Sequence, residues 1–103
     1  MKVIWHTGAK EGRRLVSAYI HKMFGRTRVM TFRQEVDKTV KMLMRHPDAG
    51  IMDPLFADRP VAYRSVIVGG LSKMVYRIDE DNIHIVAFWD CRQDPEKQAA
   101  KVK

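Results

Sequence analysis

Apolar residues recur along this chain with two different periods, and the change from one to the other divides it. The opening run Lys2-Val3-Ile4-Trp5-His6 is short, apolar and β-branched, and reads as a first strand. Thr7 follows where a hydroxyl would accept from a free backbone N–H, so it is expected to cap a helix. That helix is predicted to reach about Phe24, with Leu15, Ala18, Tyr19 and Met23 recurring at three and four residues, and Gly25 stops it. Thr27 is the expected cap of a second helix. Its stripe is cleaner: Val29, Phe32, Val36, Val40, Leu43 and Met44 share one side, while Arg28, Arg33, Lys38, Lys41 and Arg45 take the rest. His46-Pro47 ends it, because a residue before proline is pushed out of the helical region.

A loop is expected from Pro47 to Pro60, long for so small a protein, with Met52, Leu55 and Phe56 partly pinned to the core. The period then changes to two. Val61–Val68, Lys73–Ile78 and Ile83–Trp89 read as strands, separated by Gly69-Gly70 and by Asp79-Glu80-Asp81-Asn82, both of them hairpin turn material. The order β-α-α-β-β-β describes an α+β fold in which a helical hairpin packs on a small antiparallel sheet. One core is expected, from Trp5, Leu15, Tyr19, Phe32, Val36, Val40, Leu43, Val66, Val68, Val75, Ile85 and Ala87 or Phe88. Residues Asp90 to Lys103 read as a polar tail or a last short helix, and residues 1–103 as a single domain.

Charge changes this picture once it is located. The chain carries 19 lysines and arginines against 12 acids, a net of +7. Met1 to His46 holds 11 basic and 3 acidic residues, and Pro47 to Lys103 holds 8 and 9, so the excess lies entirely in the helical part. A basic surface attracts nucleic acid or an acidic protein, and the bland alternative is a solvated helical face. Hydrophobic residues make up 46% of the chain, and no apolar run approaches a membrane span. The lone Cys91 excludes an internal disulfide, which fits a reducing cytoplasm. A nucleotide-binding enzyme of ordinary size does not fit into 103 residues.

The layout and several residues resemble the RelE/ParE superfamily of toxins from type II toxin–antitoxin modules. The marks are Trp5 in the first strand, the paired helices, the Pro47-Asp48-Ala49-Gly50 turn, Tyr63-Arg64, Val75-Tyr76-Arg77, and the closing Trp89-Asp90-Cys91-Arg92-Gln93-Asp94-Pro95. The resemblance implies a small toxin held inactive by a cognate antitoxin. One branch of the family cuts messenger RNA on the ribosome, using arginine and lysine on the concave sheet face with a late tyrosine, or a glutamate and a terminal histidine. The other branch poisons DNA gyrase without that catalytic set. Arg64 matches the family's strand-two arginine and Lys73 a basic strand-three position, with Arg77 and Arg92 as further phosphate or target contacts. The late proton-transfer residue is missing, since Trp89-Asp90-Cys91-Arg92 stands near its place. The expectation is therefore a ParE-like toxin without nuclease activity. A ribosome-dependent endoribonuclease acting through those four cations is the alternative, and a non-toxic basic interaction module the third reading.

Each candidate also has a plainer role. Arg64 would pair with a loop carboxylate such as Asp53 or Asp58, Lys73 and Arg77 would lie on one solvated sheet face, Tyr63 and Tyr76 would be core aromatics, and Cys91 an inert buried thiol. His6, His21, His46 and His84 show no metal-ligand spacing, and Gly69-Gly70 lacks the flanks of a phosphate loop, so no metal or cofactor is expected. Met23, Met30 and Met42 are the expected antitoxin contacts, lining an adaptable groove for an acidic, partly disordered partner.

Overall fold

Val3–Trp5 forms β1, and its ladder explains where the first helix begins. In the computed structural model, which describes residues 1–102, β1 pairs in parallel with β5 (Asn82–Asp90), and the His6 N–H continues that ladder by donating to Ile85 O at 2.9 Å. His6 is still extended, so it occupies the cap position of α1 (Thr7–Phe24), and Thr7 is the first helical residue rather than the cap. Gly25 alone joins α1 to α2 (Arg26–Arg45): its N–H donates to His21 O and its C=O accepts from Val29 N. With φ at 88°, that single-residue hinge favours glycine, and it draws Thr27 into α2, away from the expected cap position.

The Pro47–Pro60 segment is more ordered than expected. It contains β2 (Ile51–Met52) and a 3-10 turn at Pro54–Phe56, which Asp53 caps by accepting from the Leu55 N–H. Arg64–Val68 then forms β3, three residues later than the sequence pattern indicated, followed by β4 (Ser72–Asp79) and β5. The sheet order is β1-β5-β4-β3-β2, and β2 to β5 are antiparallel neighbours. The antiparallel expectation thus holds for four strands, and β1 is the parallel exception. Pro95–Ala100 forms α3, with Pro95 at its first position and Asp94 capping it through the N–H groups of Glu96 and Lys97.

The sheet is covered on both faces, so the expected single core is two. Helices α1 and α2 bury Ala9, Val16, Phe32, Val36 and Leu43 against Val68, Met74, Tyr76, Ile83, Ile85 and Phe88. On the opposite face, Phe56, Tyr63, Ala99 and Val102 cover Val75, Ala87 and Trp89. Val75 and Ala87 therefore belong to the second cluster, and the tail expected to be polar supplies part of its lid. Leu15 and Tyr19, expected in the core, are 53% and 38% exposed. The buried face of α1 is instead Ala9, Gly12, Val16 and Ile20, and at Gly12 the helix lies so close to β5 that no side chain fits between. A Cβ on Gly12 would stand 1.9 Å from Phe88 O. The α2 stripe holds except at Met44, which is exposed.

Candidate functional site

Turning Leu15 and Tyr19 outward leaves an apolar strip along α1, which the hairpin between β3 and β4 continues. Tyr19, Phe24, Arg28, Phe32 and Leu71 line a cleft of about 100 Å³ between the helical hairpin and that end of the sheet. Phe24 and Leu71 are each more than half exposed. Arginines straddle the aromatic wall: Arg28 lies 5.2 Å from the Phe24 ring centroid and Arg92 5.1 Å from that of Tyr19. Arg92 also grips Asp90 through two bonds, Nη2 to Oδ2 at 2.7 Å and Nε to Oδ1 at 3.0 Å. The Arg92 hydrogen bond holds the Asp90 carboxyl below its ordinary value. Asp90, and after it Tyr19, raises Arg92 above its own. Arg92 thus spans the cleft as a charged strut, and beyond it the depression continues over Leu15 and Gln93.

The four expected target cations do not converge. Arg64 lies on the helix side, opposite Tyr76 in register, and donates to Gly50 O at 2.8 Å and Asp48 O at 3.3 Å. It clasps loop carbonyls rather than Asp53 or Asp58. Tyr76, fully buried, works beside it: its hydroxyl donates to Pro47 O at 2.6 Å and accepts from Gly50 N at 2.9 Å. Burial, above all, raises the Tyr76 pKa. Lys73 lies on the opposite face, under the second cluster, with Nζ 2.5 Å from Oδ2 of the buried Asp53 and 5.4 Å from the Trp89 ring. Arg77 shares that face and donates to Asp79 at 3.2 Å. Arg92 is back on the helix side, over Tyr19. The sequence correctly put Lys73 and Arg77 together and made Tyr63 and Tyr76 core residues, both being buried.

Of the expected antitoxin contacts, Met23 and Met30 are about half exposed, whereas Met42 packs partly buried against the helix-side core. Cys91 is exposed, not buried. Desolvation, and then the Asp90 charge, push its thiol up, which keeps it protonated. Sequence reading missed the cleft because it assigned Leu15 and Tyr19 to the core, and both are exposed. It also missed that His6 Nε2 and His84 Nδ1 meet at 2.9 Å, since 78 residues separate them. Among the described residues, no three His, Cys, Asp or Glu side chains cluster to hold a metal, and no helix is long and apolar enough to cross a membrane.

A search of curated protein sequences returns no significant match. Among solved structures, the chromosomal ParDE TA system from P. aeruginosa matches with a TM-score of 0.70 at 16% identity, covering 87% of this chain and 95% of that one. At that identity the likeness concerns the fold. The family model of the ParE toxin of the type II toxin–antitoxin system parDE matches residues 3–95, from the first residue of β1 to the first of α3. The chain therefore belongs to the ParE toxins of type II toxin–antitoxin systems.

Proposed function

We propose that this chain arrests growth by acting on DNA gyrase, without cutting RNA, and that its cognate antitoxin silences it by laying an apolar helix along the cleft between the helical hairpin and the sheet. The exposed strip of Leu15, Tyr19, Phe24 and Leu71, flanked by Arg28 and Arg92, carries the antitoxin half of this reading. An amphipathic segment seats its apolar face in such a groove, and acidic residues on its flanks meet the arginines. Met23 and Met30 are exposed where an adaptable surface would widen the contact, whereas Met42 is partly buried against the helix-side core. The excess charge on α1 and α2 favours an acidic partner that is disordered until bound.

The target half rests on the scatter of Arg64, Lys73, Arg77 and Arg92. Cleaving a phosphodiester requires an acid, a base and cations around one phosphate, and these four are divided between the two sheet faces. Expression of the chain alone is expected to arrest growth, and the purified protein to inhibit gyrase supercoiling. Co-expressing the product of the adjacent gene should restore growth, and Leu71→Glu should remain toxic while escaping that rescue. Association with the antitoxin should slow as salt rises from about 50 to about 500 mM, because screening removes the long-range attraction. Cuts in ribosome-bound message with gyrase unaffected would overturn the target, and full rescue of Leu71→Glu would overturn the cleft.

A further inference from the structure

Beyond the Phe56–Trp89 cluster, on the sheet face away from α1 and α2, three basic side chains stand side by side across three strands. Arg77 of β4 is the direct cross-strand partner of His84 on β5, and His84 is in turn partnered by Ile4 of β1. His6, two residues past Ile4, brings its Nε2 to 2.9 Å from His84 Nδ1, with the rings edge to face. This bond needs one nitrogen bare, so the pair keeps it with one net charge and loses it with two. Like charges directly opposite on paired strands repel, so the row is stable only while the histidines are largely neutral. The His6 pKa is lowered accordingly, first by burial and then by His84 and Arg77.

Counter-charge at this corner is thin. Asp79 makes one hydrogen bond to Arg77 at 3.2 Å from a side chain that is more than half exposed, and the first turn of α1 behind His6 contains no acid. The corner thus gathers a guanidinium and two imidazoles around a charge deficit that a multiply charged oxyanion would relieve. We propose that His6, His84 and Arg77 form a phosphate-binding site, for a phosphate either free or in a polynucleotide backbone. Arg77 supplies permanent charge and fork geometry, and the histidine pair adds donors as it takes up a proton. The rings are in mutual contact, on one side of any such phosphate, so they do not stand as acid and base across a scissile bond. The site binds without cutting. It is independent of both the antitoxin cleft and the gyrase reading.

Histidine ring NMR on the full chain, in buffer free of phosphate, tests this with His21 and His46 as exposed internal controls. Adding inorganic phosphate at constant ionic strength should move the His6 and His84 signals and raise their titration midpoint, leaving the controls in place. Arg77→Gln should weaken the response about tenfold, the worth of one charge-assisted hydrogen bond, and His84→Gln should abolish it at His6. A 5′-phosphorylated single-stranded oligonucleotide, compared with free phosphate, separates the two sources. The same shifts at lower concentration assign a polynucleotide, and shifts from inorganic phosphate alone assign a free ion. Uniform movement of all four histidines, no movement at His6 and His84, or an unchanged response in Arg77→Gln would each overturn the site.

Discussion

Tyr76 shows how much one side chain holds in a protein this small. Its hydroxyl stitches Pro47 O and Gly50 N to the sheet from a ring with no exposed surface, and Arg64 adds a second tie to Gly50 O. Tyr76→Phe keeps the packing but leaves a carbonyl and an N–H without their partner, at a cost of about 2 kcal/mol. Urea unfolding should show that loss, and an unchanged midpoint would mean that water replaces the phenol. Lys73 is equally committed, since removing it would leave Asp53 buried with an uncompensated charge. Neither attachment is legible in sequence. The sequence suggests Arg64 and Lys73 as target or phosphate contacts, whereas the partner of each comes from the Pro47–Pro60 segment, and only the folded loop brings it near.

At the level of elements, the decisive contact is α1 on β5. Apolar periodicity favoured Leu15, Ala18, Tyr19 and Met23 as the inner face, because glycine and alanine add little hydrophobic signal. Closeness of approach, not hydrophobicity, selected Ala9 and Gly12 instead. Gly12→Ala drives a methyl into the Phe88 carbonyl, with backbone on both sides and no flexible group to yield. The expected cost is about 3 kcal/mol, seen as a lowered melting temperature together with changed amide shifts along β5. A melting temperature within a degree or so of the parent would show that α1 can lift from the sheet cheaply. On α2 the same periodic reading succeeded, from Val29 to Leu43, because bulky residues mark that interface.

For the whole molecule, the two sheet faces respond to acid in sequence. His6 has a lowered pKa, so below its ordinary value of 6.5 the unfolded chain takes up a proton before the folded one does. Stability should therefore begin to fall as pH drops through 6.5 and level off once folded His6 has also titrated. A second loss follows at lower pH, as the carboxyl of Asp90, ordinarily near 3.8 and held lower by Arg92, is protonated. Melting temperatures across this range, in buffer free of phosphate, should show both steps, and His6→Gln should remove only the first. A first step that survives in His6→Gln would place its origin at another group.

What the sequence determined by itself is what depends on neighbours along the chain. The two helices, the three main strands, the turns at Gly69-Gly70 and Glu80-Asp81, and the excess positive charge of the first 46 residues all follow from local pattern and composition, as do the residues that resemble the toxin family. Tertiary structure decided what depends on distance in space. It placed β1 parallel to β5, split the core between two sheet faces, turned Leu15 and Tyr19 outward to form a cleft, and separated Arg64 and Arg92 from Lys73 and Arg77. The physical reason is that periodicity specifies that a helix has an apolar side, while the steric fit against the partner surface specifies which side is buried.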